Sequence, residues 1–581
     1  MKQFLSIRHP AFKVFILVAS VFILYSFILS APFKTLDDQA SIYANRDIQD
    51  IKYIPQIFRK SFFGDDNFYY RPLVSVSFSL ENHFFGLNAF FFNVTNMLLH
   101  LLTTLVVFCF VTFVFKNDWL GFWVAFLFAI HPVNVEAVAN VAGRSILLCA
   151  FFEWSAFLLF GSFVRYHKRI YFLGSLFSFA LALLSKESSA AFPAMVFIYA
   201  FLFSERPKRS FWGSVRLAIP FALVLAGYLI ARYSLHIASV SFVSDVKDYF
   251  YGILTFARSV LTYGRILLWP VDLHFDRIRP VIGHVFSPES LGTIVFWLGS
   301  LGAFLKFYRR LTPAVLFFIA LFFFRFLPLS QIIPIRSQAN YICIPDHFLY
   351  VPSVGFFVCL VVFFRWAAGR LMATQHLTRF WVRSIVSLWI IFLACITIEQ
   401  NIYATHEIAL FERTVSFTPE HVRINVALGL SYVFQKKFAR AEPCFRRALA
   451  YEPSNTRARV SLGTVLLDQG RYWEGLAEYE KIFGSRDFQD LVERNKKLAY
   501  RLLIEKYSAM IKGKDTPADV YYSLGVVYAK KGDFKDAIVY FQKALERDPR
   551  HRNALINLCN SFWAAGQEQD AQTCFAQIKE P

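Results

Sequence analysis

The stretch Val14–Tyr43, "VFILVASVFILYSFILSAPFKTLDDQASIY", decides the fold: an apolar run reaching about Ala31 is followed, six residues on, by the adjacent carboxylates Asp37 and Asp38. The run is roughly long enough to cross a hydrocarbon core of about 30 Å. It is too long, and too poor in small-residue cleavage signals, to be a removable signal peptide, so it reads as a retained anchor.

The rest of the chain agrees. Its 581 residues are 56% hydrophobic and include 69 Phe, with a mean hydropathy of +0.43; a soluble chain of this length could not hide so much apolar surface. Further apolar runs cover about 89–115, 119–131, 145–164, 170–185, 189–204, 212–234, 289–307, 314–330, 351–366 and 384–399. The expectation is a polytopic bundle of about eleven helical spans, because backbone facing lipid must satisfy its own hydrogen bonds. The net charge of +20 is concentrated in short gaps between runs, at Arg165–Arg169, Glu205–Arg209 and Lys306–Arg310. With Lys2, Arg8, Lys13 and the segment 365–383, these clusters follow the positive-inside pattern, which removes the need for a nucleic-acid partner. Residues 251–270 are apolar but carry Arg258 and Arg265 near one helical face, and read as an interfacial or re-entrant helix in an external loop of about 236–288. The eight cysteines have no C-x-x-C spacing and read as core residues rather than metal or disulfide sites.

Beyond residue 400 the composition becomes soluble and a repeat appears. "LGLSYVFQKKFARAEPCFRRALAYEP" places Leu428, Gly429, Tyr432, Ala441, Phe445, Ala448 and Pro453 at tetratricopeptide positions. Leu524, Gly525, Tyr528, Ala537, Phe541, Ala544 and Pro549 repeat the set. Small residues stand where paired helices touch, large ones fill between, and Pro ends the second helix. The chain is thus read as all-α: a membrane unit over 1–400 and an extracytoplasmic α-solenoid over 401–581. Its repeats fall near 422–455, 456–489, 518–551 and 552–581, with an irregular helical pair at 490–517.

With the N-terminus inside, five segments bring polar groups to the outer face: the acidic pair, Tyr69–Leu73, His131–Arg144, Ser185–Ser189 and Pro345–Gly355. Such convergence near lipid marks a site. Taken singly, Asp37 and Asp38 suit a cap, Arg71, Arg144 and Lys186 suit snorkelling, Glu136 could bridge to Arg144, and His131 before Pro132 suits packing. Glu153 and His100, both mid-span, read as hydrogen-bonding residues of the bundle core.

The order "DDQASI", "YYRPL", "NVTNMLLH", "HPVNVEAVANVAGR", "LLSKES", "DHFLYVPSVGF" and then the repeats resembles the transmembrane and tetratricopeptide-repeat O-mannosyltransferases over nearly the whole chain. The resemblance implies a C-type glycosyltransferase fold. It also implies transfer of mannose from a polyprenyl-phosphate carrier to Ser or Thr hydroxyls of proteins outside the membrane. Asp37 and Asp38 match the family's acidic pair, one of them the base.

The chemistry suits the residue types. An attacking hydroxyl needs a carboxylate to take its proton, and the departing phosphate needs cations. Asp37 is favoured as base with Asp38 orienting, the reverse remaining open. Arg71, Arg144 and Lys186 lead the phosphate candidates, with Glu136 and Glu187 holding them or meeting sugar hydroxyls, and His131, Asp346, His347 and Tyr350 completing the donor-facing set. A single displacement would invert the anomeric carbon. No metal and no cofactor beyond the lipid-linked sugar are expected, and the expected partners are that donor and a protein acceptor or partner bound by the repeats. One departure from the family stands at Asp346–Tyr350, where Glu-Arg-x-Leu-Tyr is expected and His347 replaces Arg, making a phosphate contact pH-dependent. The short repeat array suggests a bacterial inner-membrane homologue using undecaprenyl or a related carrier, the endoplasmic reticulum being the eukaryotic counterpart. Rival readings are transfer to a glycan or lipid, a non-catalytic scaffold, and a transporter, the last lacking paired broken helices.

Overall fold

The computed structural model describes residues 9–62, 69–204, 210–237, 246–329, 336–338, 341–371, 376–482, 488–511 and 513–579. Lys2, Arg8 and the basic cluster at 205–209 lie outside the described residues. The chain divides into two compact units, Met1–Pro419 and Glu420–Pro581. The division falls after the composition change at residue 400, because the helix Glu407–Phe417 belongs to the first unit: Glu407 accepts from the Thr35 hydroxyl at 2.8 Å and Thr414 accepts from the Phe275 amide.

In the first unit each apolar run contains a helix among its described residues. Among the described residues, seven helices are long and apolar enough to cross a membrane: Pro10–Ser30, Ala89–Phe115, Val141–Tyr166, Phe211–Ser234, Pro288–Arg310, Pro352–Arg370 and Phe380–Thr405. The pair Asp118–Ile130 and Pro132–Val138, bent by 54°, makes an eighth if taken as one span. The remaining runs form shorter helices, Arg169–Ser185, Glu187–Phe203 and Pro313–Phe324. The 314–330 run is cut short at 12 helical residues, about 18 Å of rise, where Arg325 turns inward to Glu153 at 3.1 Å. Val246–Leu268 forms one amphipathic helix that is not among the candidate spans.

Asparagines set the entries of two long helices. The Asn88 side chain accepts from the Phe90 amide and that of Asn117 from Leu120, occupying donors that a helix start leaves unpaired. Lys13 pairs with Asp118, and Arg365 lies over the Trp119 ring. The starts of the first helix and of Asp118–Ile130 therefore share one end of the bundle with the far end of Pro352–Arg370. The turns at 131–143 and 345–350 lie at the other end. There a small antiparallel sheet, β1 (Ile278–Pro280), β2 (Arg336–Gln338) and β3 (Tyr341–Cys343), runs in the order β1-β3-β2, with Ile278 opposite Cys343.

In the second unit the helix pairs Val422–Phe434/Phe438–Tyr451, Thr456–Asp468/Tyr472–Glu480, Ala518–Lys531/Phe534–Arg547 and Arg552–Ala564/Glu568–Lys579 stack in series. A Cβ on Gly429 would lie 2.6 Å from Phe445, one on Gly463 2.6 Å from Tyr479 and one on Gly525 2.7 Å from Phe541. The glycine and the ring sixteen residues on are one packing unit. The expected irregular pair at 490–517 is instead a single 21-residue helix, Gln489–Ala509, followed by a short turn at Gly513–Asp515. No Gly or Pro interrupts "QDLVERNKKLAYRLLIEKYSA", so nothing breaks that helix in two. A second correction concerns the cysteines: Cys559 and Cys574 form a disulfide between the last two helices.

Candidate functional site

The loop after the first helix is anchored by its second acid. Asp38 is fully buried and accepts from the Lys34 amide at 2.9 Å and from the Ala142 amide at 2.9 Å. Lys34 reciprocates by donating from Nζ to the Ala139 carbonyl at 2.6 Å. Burial raises the Asp38 pKa, while the Lys34 ammonium and the two amide donors pull it down. Asp37, on the same turn, keeps part of its surface open, and its backbone carbonyl accepts from the Ser41 hydroxyl. Gly143 is required beside this joint, since a Cβ there would sit 2.1 Å from the Ala137 carbonyl oxygen.

The same 132–146 segment reaches the 345–350 turn. Glu136 accepts from the His347 amide at 3.0 Å and from the Asp276 amide at 3.2 Å, and its Oε1 lies 3.0 Å from His347 Nδ1. Glu136 thus pairs with His347 and not with Arg144. Next to it, Asp346 is paired with Arg277 at 3.1 Å, and burial pushes its pKa up to about 6 against that guanidinium. A first cavity is lined by Lys34, Glu136, Asn140, His274, Asp346 and Gln400 among others. A second is lined by Cys149, Lys186, Arg325, His347 and Tyr350, with apolar Ile146, Phe348 and Val351.

Cations converge on the second cavity. Burial, reinforced by the nearby Arg71 charge, lowers the Lys186 pKa to about 8. Arg325, almost fully buried, pairs with Glu153 and donates to the Ser188 carbonyl. Sequence reasoning passed over Arg325; its signal was a lone guanidinium inside an apolar run. Arg71, beside the Tyr69 ring at 4.2 Å, forms a two-bond fork to Glu187 at 2.6 and 3.1 Å. Glu187 is thus the ion-pair partner of Arg71.

Two expected donor-facing residues lie elsewhere. Arg144 is fully buried and spends its donors on Glu81 at 3.1 Å, the Phe92 carbonyl at 2.8 Å, Ser77 at 3.3 Å and Asn96. It ties three helices together and lines neither cavity. His131, also fully buried, accepts from the Val133 amide through Nδ1 and donates from Nε2 to the Leu267 carbonyl at 3.2 Å, a capping role. Tyr350 reaches the second cavity while its hydroxyl contacts His100 Nδ1 at 2.7 Å. His100 and Glu153 thus serve in the bundle's own hydrogen bonding. Among the described residues no group of three or more His, Cys, Asp or Glu could hold a metal ion.

An acid-bearing loop, a cation-lined cavity and helical repeats follow one another along the chain. The chain is similar to protein O-mannosyl-transferases. It is 25% identical to protein O-mannosyl-transferase TMTC1 of Homo sapiens over 69% of this chain and 50% of that protein. It is 22% identical to protein O-mannosyl-transferase TMTC3 of Homo sapiens over 90% of this chain and 66% of that protein. The chain spans half to two thirds of the length of these curated relatives. The tetratricopeptide-repeat family matches residues 426–487 and 518–551. Among solved structures, the crystal structure of MamA protein aligns with 30% of this chain and 80% of that chain at 17% identity and a TM-score of 0.14, too slight a likeness to carry an argument.

Proposed function

We propose that this membrane protein is a glycosyltransferase that moves a sugar, mannose by the similarity to its relatives, from a polyprenyl-phosphate carrier to Ser or Thr hydroxyls of proteins on the extracytoplasmic side. The observation that carries the reading is the continuous joint from the Asp37–Asp38 turn, through residues 136–142, to the cavity of Lys186, Arg325 and His347. Asp38 fixes the turn and Asp37 takes the acceptor proton as general base. The acceptor oxygen bonds to the anomeric carbon as the bond from that carbon to the phosphate oxygen breaks. The electron pair leaves with the phosphate and the configuration inverts. Lys186 and Arg325, with Arg71 behind them, meet the charge that grows on the phosphate.

Two observations support the placement outside. The site lies at the end of the bundle opposite Lys13 and Arg365, whose charge belongs inside by the positive-inside rule. The Cys559–Cys574 disulfide suits an oxidising compartment.

The test is transfer of radiolabelled mannose from polyprenyl-phosphate mannose to a mixed extracellular protein acceptor by the purified full chain. Asp37→Asn is expected to lose about 10²–10⁴-fold of the rate while melting like the wild type. Undiminished transfer by that variant overturns Asp37 as base, and absence of transfer from every polyprenyl-phosphate sugar tried overturns the enzyme.

A further inference from the structure

The amphipathic helix Val246–Leu268 lines neither cavity. Along it Phe250, Ile253, Ala257, Leu261, Gly264 and Leu268 recur at helical spacing and stay exposed or half-buried, an apolar stripe on one face. One step round the helix from that stripe, Arg258, Thr262 and Arg265 make a polar row at the same spacing.

The stripe lies beside helices that cross the membrane. Trp297 of Pro288–Arg310 donates to the Ala257 carbonyl at 3.1 Å, Trp389 of Phe380–Thr405 donates to the Leu268 carbonyl at 3.0 Å, and Trp269 stacks on Phe392 at 4.5 Å. Indole rings favour the level where hydrocarbon meets headgroups, and an apolar stripe at that level is covered by lipid.

What the polar row meets follows from its charges. Arg258 pairs with Glu289 and donates to the Pro280 carbonyl at 2.9 Å, while Arg265 puts two bonds on Asp272 at 2.8 and 2.9 Å. Arg279 of β1 donates to the Thr262 hydroxyl at 3.1 Å and has no ion pair among the described residues. Burial, and then the charges of Arg258 and Arg277, lower its pKa: it is a guanidinium crowded by its own kind. Arg277 is itself matched by Asp346. Arg258, Arg265 and Arg279 against Glu289 and Asp272 therefore leave one positive charge uncompensated at the edge of the apolar stripe.

We propose that Arg279, with Arg258 and Arg265 in the adjoining row, binds the phosphodiester of an anionic phospholipid whose acyl chains lie along the stripe. Such a headgroup carries the one negative charge that the row lacks, and the planar guanidinium matches its two free oxygens. The site is separate from the cavity assigned to the sugar donor, since none of the three arginines lines that cavity, and the inference stands whether or not the chain transfers mannose. Tyr263 of the same helix donates to the Pro345 carbonyl at 3.3 Å, so the lipid belongs to the leaflet at the end of the bundle that carries the 345–350 turn.

The test is native mass spectrometry of the purified full chain in detergent with equimolar phosphatidylglycerol and phosphatidylcholine, which share a phosphodiester and differ in net charge. Wild type is expected to retain phosphatidylglycerol roughly tenfold over phosphatidylcholine, Arg279→Gln to fall to about parity and Arg279→Lys to keep most of the preference. Thr262→Val, isosteric and on the open side of the helix, removes the hydroxyl that aims the guanidinium and is expected to lower the preference by roughly threefold; it decides the matter if Arg279→Gln does not fold. Arg59→Gln, which removes an exposed arginine elsewhere in the same unit, is expected to change nothing. No preference in wild type, an unchanged preference in folded Arg279→Gln, or an equal loss in Arg59→Gln would overturn the proposal. So would a preference lost in Lys186→Met and kept in Arg279→Gln, which would put the lipid in the donor cavity. Displacement of phosphatidylglycerol by an equal concentration of glycerophosphoglycerol, the same headgroup without acyl chains, would make this a site for soluble anions and overturn the lipid assignment.

Discussion

Asp37 and Asp38 share a turn and differ in what surrounds them, so their substitutions separate structure from chemistry. Asp38→Asn swaps one carboxylate oxygen for an NH2 group facing a backbone amide, leaving a buried donor without an acceptor. The expected cost is about 1–3 kcal/mol, seen as a lower melting temperature in detergent, whereas Asp37→Asn melts within about 0.5 kcal/mol of wild type. Equal melting of the two variants would remove Asp38 from its anchoring role. Lys186 makes a pH prediction. Folded, it loses its proton near pH 8; unfolded, near 10.4. Between those values the unfolded chain holds more protons, so stability rises with pH across the window. Lys186→Met is expected to flatten that rise, measured as the difference in melting temperature between pH 7.5 and 9.5, and an unchanged slope would place the titration elsewhere.

At the scale of elements, the same kinds of residue were legible in one half and opaque in the other. Gly429 with Phe445 and Gly525 with Phe541 could be read from spacing, because a tetratricopeptide hairpin repeats one local contact and the period itself is the signal. Arg144 could not. Its partners Glu81, Phe92 and Asn96 come from other helices, and no periodicity records which helices meet; a guanidinium at the end of a span therefore looked like a phosphate ligand. The Cys559–Cys574 pair had a signal that spacing statistics ignore: Cys559 lies seven residues before Gly566 and Cys574 eight after it, and folding a helical hairpin at that glycine brings them opposite. Arg144→Met tests the element-level role. Loss of one partner leaves Glu81 buried without its cation, at an expected cost of about 3–5 kcal/mol, and replacing both, Arg144→Met with Glu81→Met, is expected to recover most of it. Thermal unfolding of the single and double variants decides, and a stable single variant with weakened donor binding would return Arg144 to the phosphate site.

At the scale of the whole molecule, the two units divide the proposed work: Met1–Pro419 carries the acid turn and the cation cavity, and Glu420–Pro581 carries the repeats. The two helices of the repeat at 552–579 are joined by the disulfide across 15 residues. Closing a loop of that length stabilises the repeat by about 3 kcal/mol in the chain-entropy model. Replacing both cysteines by serine is therefore expected to loosen this repeat, seen as faster amide exchange in 552–579 while exchange in Ala89–Phe115 is unchanged. The same chain reports on compartment. Alkylation of protein taken from intact cells without reductant should leave Cys559 and Cys574 unmodified, whereas exposed Cys109 and Cys395 remain thiols. Full alkylation of Cys559 and Cys574 would place the repeats in a reducing compartment, and with them would fall the placement of the acid turn on the extracytoplasmic side.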